Sequence, residues 1–129
     1  MSRKSGMGPE RPSAPVLIVE DNTDARESLR LLLEQNGHDV FEADSGPSGV
    51  ASALANRPDV ALIDVGLPGF DGYEAARRIR SASQDGIVLI ALTGYGLPED
   101  RRRAQQAGFD AHLVKPFDPD SLNDLLKGA

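Results

Sequence analysis

The feature that most constrains this 129-residue chain is a strict alternation between short apolar runs and longer stretches with helical spacing. V-L-I-V (16–19), V-A-L-I (60–63) and I-V-L-I-A-L (87–92) are continuously apolar, the pattern of strands covered on both faces. Two weaker strands are predicted over His38–Ala43 and Ala111–Val114. Helices are predicted over Asn22–Gln35, Pro47–Asn56, Asp71–Ser81, Pro98–Ala107 and Pro119–Leu126. The first carries Ala25, Leu29, Leu32 and Leu33 at helical spacing, and Asn36-Gly37 is its stop signal. Pro58 and Gly108 end the second and fourth, and Asp118-Pro119 starts the last with a capping carboxylate followed by proline at the first helical position. Five strand-then-helix units imply a single-domain α/β fold, (βα)5, with a doubly wound five-stranded parallel sheet.

Composition narrows the function classes. There is no cysteine, so disulfides, thiolate metal sites and thiol catalysis are excluded. His38 and His112 stand alone, which disfavours a histidine zinc site. A net charge of −6 without a basic aromatic stretch argues against direct nucleic-acid binding. The apolar runs are too short to span a bilayer and the N-terminus lacks a signal-peptide core, so a cytoplasmic location with no membrane partner is expected. Residues 1–14 are rich in Gly, Ser and Pro without periodicity and are expected to be a disordered leader or linker; 15–129 form the domain.

In open parallel sheets, ligands bind beyond the carboxyl ends of the strands. Glu20 and Asp21 follow the first strand, Asp64 the third, Thr93 and Gly94 the fourth, and Lys115 and Pro116 the fifth. Each has an ordinary explanation alone. Glu20 and Asp21 suit a helix N-terminus, Thr93 a strand end and Lys115 a solvated surface. Together, Glu20, Asp21, Asp64 and Lys115 sum to −2, a cost that a hard divalent cation such as Mg²⁺ relieves. A carboxylate beside such a cation can act as a nucleophile toward phosphorus. Lys115 and the Thr93 hydroxyl are then placed to hold phosphoryl oxygens.

These residues sit in V-L-I-V-E-D-N, D-V-G-L-P-G-F-D-G-Y-E, I-A-L-T-G and L-V-K-P-F, and over about residues 15–127 the chain resembles the receiver domain of two-component response regulators. The resemblance implies the chemotaxis-regulator-like form of the flavodoxin-like fold, with strand order 2-1-3-4-5. It implies Asp64 as phosphoacceptor, and Mg²⁺ held by Glu20, Asp21, Asp64 and the backbone carbonyl of Gly66. Thr93 would be the switch hydroxyl and Lys115 the ion-pair partner, with a cis peptide between Lys115 and Pro116. The donor would be a histidine kinase or a histidine phosphotransfer protein. Such a domain is not an enzyme for other substrates; it catalyses only its own phosphorylation and dephosphorylation. The segments around Asp64 and Thr93 are similar to receivers attached to hybrid sensor kinases.

One position departs from the family pattern. His112 stands three residues before Lys115, where many receivers place an aromatic switch residue. It reads either as a switch residue or as a partly exposed strand histidine. Gly66 and Tyr95 flank the expected path of hydrolytic water, Gly66 leaving space and Tyr95 obstructing it. Output is expected through a downstream protein on the face of helix 4, strand 5 and helix 5, using some of Arg101, Arg102, Arg103, Gln105, His112 and Leu122. A dehalogenase-type phosphatase is rejected because position 66 is Gly rather than a second Asp, and a dinucleotide-binding fold because Glu20 and Asp21 would repel phosphates. A non-phosphorylated receiver-like interaction module remains the alternative.

Overall fold

The structure, a computed structural model, describes residues 15–83, 86–94 and 96–127. The expected leader over 1–14 and the reading of Tyr95 lie outside the described residues. Five strands, β1 (Val16–Val19), β2 (Val40–Ala43), β3 (Val60–Asp64), β4 (Val88–Thr93) and β5 (Ala111–Val114), alternate with five helices. The helices are α1 (Thr23–Gln35), α2 (Gly46–Asn56), α3 (Gly72–Ser83), α4 (Pro98–Ala107) and α5 (Pro119–Lys127). The strands form one sheet in the order β2-β1-β3-β4-β5, and every pair is parallel. Among the described residues, no helix is long and apolar enough to cross a membrane.

The period-2 alternation of the strands divides the core into two layers. Leu17, Val19, Ala61, Ile63, Leu89 and Ala91 face a cluster completed by Ala53, Tyr73, Ile79 and Ala104 of α2, α3 and α4. Val16, Ile18, Leu62, Ile90 and Leu113 face the other side with Leu29 and Leu33 of α1 and Leu122 of α5. Leu122 is wholly buried there, which corrects its assignment to the output face. Arg103 turns toward α3, stacking on the Tyr73 ring at 4.1 Å and pairing with Asp71 at 3.6 Å.

Local chemistry sets the element ends. Asn22 accepts the Ala25 amide at 2.8 Å to start α1, and Asp118 accepts that of Ser121 at 2.7 Å to start α5. The strand predicted from His38 begins only at Val40, because the His38 amide donates back to Leu33 O and finishes α1. α2 starts one residue early, through a reciprocal Ser45–Ser48 box that replaces the usual Glu or Gln with a second serine. α3 runs past Ser81 to Ser83, whose hydroxyl donates to Ile79 O.

Candidate functional site

Strand register brings the acids together. Val19 pairs with Ile63, so Glu20 and Asp64 follow side by side at the carboxyl ends of adjacent strands. Asp64 itself pairs with Leu92 of β4, and Leu92 with Leu113 of β5, two residues before Lys115. One carboxylate oxygen from each of Glu20, Asp21 and Asp64 lies within 4.8 Å of the other two. Lys115 Nζ donates to Glu20 Oε1 at 2.8 Å and to Asp64 Oδ2 at 3.0 Å. The Lys115–Pro116 peptide is cis.

Each carboxylate is held differently. Glu20 is buried; its Oε1 takes Lys115 and its Oε2 takes the Asn22 amide at 3.1 Å. Burial pushes its carboxyl above the usual range, Lys115 and the Asn22 amide pull it back, and Asp64 adds to the rise. Lys115 is also raised, for a different reason. Burial alone would lower it, but Glu20 and Asp64 outweigh that and hold the ammonium above its ordinary value. The two directions agree physically, because one ammonium is divided between two carboxylates: each acid gets half a partner and the lysine gets two. Asp64 Oδ1 accepts the Gly66 amide at 2.9 Å, a local turn that orients the carboxylate. Asp21 is exposed.

This donor set fits a hard divalent cation. Three oxygen-only carboxylates converge with one lysine for compensation, and the exposed Asp21 has its oxygens open to solvent.

Thr93 and His112 are brought together under α4. Thr93 ends β4 and is buried; His112 pairs with Ala91, two residues before it. Both line a cleft under α4, together with Val65, Tyr73, Asp100 and Ala104, with room for about one water molecule (10 Å³). His112 is therefore brought beside Thr93 but not into the carboxylate cluster. Sequence reasoning missed Arg26, whose Nη1 donates to the Glu20 carbonyl at 2.8 Å. No short motif signals it, because its other partner, Glu42, is 16 residues away on β2.

The chain matches the family model for the response regulator receiver domain over residues 16–127. It belongs to that family. Among curated relatives, this receiver domain is 41% identical to the transcriptional regulatory protein CseB of Streptomyces coelicolor, over 80% of its own length and 43% of CseB. It is 34% identical to protein PilH of Pseudomonas aeruginosa, over 89% of its length and 99% of PilH. It thus spans less than half of CseB and nearly the whole of PilH. Among solved structures, it is similar to the receiver domain of sensor histidine kinase PA1611 from P. aeruginosa, described with a magnesium ion coordinated in the active site cleft. That likeness has a TM-score of 0.82 and 36% identity, covering 90% of this chain and 96% of the other. The chemotaxis protein CheY4 of Vibrio cholerae gives a TM-score of 0.84 at 32% identity, with 90% and 98% covered.

Proposed function

We propose that this receiver domain accepts a phosphoryl group on Asp64 in a Mg²⁺-dependent reaction and passes the change on through protein contacts. The observation that carries the proposal is the sharing of Lys115 between Asp64 and Glu20 inside a three-carboxylate cluster. Glu20, Asp21, Asp64 and the Gly66 carbonyl would hold Mg²⁺, which supplies charge neutralisation at the phosphoryl oxygens.

The chain's own residues do the rest. The Gly66 amide and Lys115 fix the two oxygens of Asp64, so the carboxylate meets the phosphorus in one orientation. An Asp64 oxygen forms the new P–O bond as the P–N bond to the donor imidazole breaks, and that nitrogen keeps the electron pair and takes up a proton. Lys115 follows the negative charge onto the phosphoryl oxygens, and the Thr93 hydroxyl donates to another. In hydrolysis, water attacks phosphorus, Asp64 leaves as carboxylate and inorganic phosphate departs. The domain acts on no other substrate. A histidine kinase or histidine phosphotransfer protein is the donor, the location is cytoplasmic, and the face of α4, β5 and α5 meets the downstream protein. Thr93 and His112 share the cleft under α4 and couple the site to that face.

Incubation of the purified chain with acetyl phosphate, with and without Mg²⁺, beside Asp64→Ala tests this directly. Intact mass should show one Mg²⁺-dependent phosphoryl group that the variant lacks. Proven Mg²⁺ binding without that gain, under conditions where the product survives, would leave the non-phosphorylated interaction module as the function.

A further inference from the structure

The Glu20–Asp21 turn is tied from outside the carboxylate cluster. The β1 ladder ends at Val19, although the Glu20 amide still reaches Ala43 O at 3.0 Å. The Glu20 carbonyl lies beyond the ladder, and its hydrogen bond comes from Arg26 Nη1 at 2.8 Å. A peptide unit is planar, so a bond to this carbonyl fixes the plane that also contains the Asp21 amide. It thereby sets the direction in which the chain delivers Asp21.

Arg26 is itself immobilised. Its backbone amide donates to Asn22 O, and its Nε donates to Glu42 Oε1 at 3.1 Å. The second oxygen of Glu42 is taken by Arg30 Nε at 3.1 Å. The Arg26 side chain is 18% exposed, against 54% for the surface Arg78, so it is a packed strut. The planar guanidinium serves two acceptors on different elements at once, which an ammonium on a flexible stem cannot reproduce.

We propose that Arg26 is a positioning residue for the divalent cation: through the Glu20 carbonyl it holds the Glu20–Asp21 turn in cation-binding geometry, braced against Glu42 on β2. This rests on the cation reading of the preceding section. It makes a counter-intuitive prediction. Arg26 is a cation next to an acidic cluster, so Coulomb attraction alone says that its removal tightens Mg²⁺ binding. Loss of positioning says the reverse, because partners that orient metal ligands typically contribute about tenfold or more to affinity.

The test is the Mg²⁺ dissociation constant of the full chain by titration calorimetry at fixed low ionic strength, with Mn²⁺ resonance as a second probe. Parent, Arg26→Gln and Arg26→Lys are compared far below their melting points, with folding verified by circular dichroism. Both variants should bind about tenfold more weakly. Arg26→Lys keeps the charge, so its loss of affinity cannot be electrostatic; it also carries the test if Arg26→Gln fails to fold. Unchanged or tighter binding in the folded variants overturns the positioning role, while a lower melting point alone would mark Arg26 as merely structural. A parent that binds no divalent cation would instead overturn the cation reading itself.

Discussion

Lys115 donates to Asp64 at 3.0 Å while also donating to Glu20 at 2.8 Å, so neither acid has a full counter-charge. Replacing the lysine exposes that deficit. In EDTA, Lys115→Met should lose about 1–2 kcal/mol by urea denaturation, less than a fully buried pair because Lys115 is part exposed. Saturating Mg²⁺ should restore much of this and bind more tightly than to the parent. Phosphoryl uptake from acetyl phosphate should nonetheless fall at least about tenfold, a separation of cation affinity from reactivity.

Two glycines near Asp64 should behave in opposite ways. A Cβ on Gly72 would sit 2.4 Å from the Asp64 carbonyl oxygen and 2.7 Å from Val65 Cα, both backbone atoms that cannot swing aside. Gly72→Ala should cost about 1–3 kcal/mol and impair phosphoryl uptake from acetyl phosphate by shifting Asp64. On Gly66 the nearest atom is Asp64 Oδ1 at 3.7 Å, ordinary contact. Gly66→Ala should stay within about 0.5 kcal/mol of the parent in the same denaturation series.

Acid should reveal Glu20. Its folded carboxyl titrates above the unfolded value of 4.5, so the folded state holds the proton more tightly. Above that raised value Glu20 costs stability, and the cost is relieved as pH falls toward 4.5. Lys115 has the complementary sign: its contribution is complete below 10.5 and is lost as pH rises through its raised folded value. Urea midpoints in EDTA from neutral to mildly acid pH should carry a stabilising component in the parent that is absent in Glu20→Gln. Identical pH profiles would refute the assignment.

Arg80 supplies a control far from the site. It donates to Gly108 O at 2.9 Å and to Ile87 O at 2.6 Å, and it pairs with Asp110. Arg80→Ala leaves these acceptors without it and should cost about 2–3 kcal/mol. Its Mg²⁺ affinity, measured well below the melting point, should equal the parent's.

The alternation of apolar runs and capped helices made the layers legible, because each run needed cover on both faces. The carboxylate cluster was legible for the same reason: strand ends in a parallel sheet share one edge, so Glu20, Asp64, Thr93 and Lys115 could be grouped before any distance was known. What stayed hidden depended on contacts across elements. Leu122 looked available on a helix, but only its place in the core layer that also holds Leu33 and Ile18 shows it buried. Arg26 reads as one charge among many on α1 until β2 places Glu42 beside it. His38 has a β-compatible neighbourhood, yet its amide is consumed in closing α1. The division of Lys115 between two acids was hidden too, because chain order gives no side-chain reach.

The place of β5 at one edge of the sheet has a consequence for assembly of the site. Glu20 and Lys115 are 95 residues apart and meet only when the outermost strand on their side has docked. Closing so long a loop carries an entropy cost that contacts across the sheet must offset. A chain whose β5 has not docked therefore holds Glu20 and Asp64 without their ammonium partner. The full set of charges is thus completed only by the whole sheet, and no smaller part of the fold contains it.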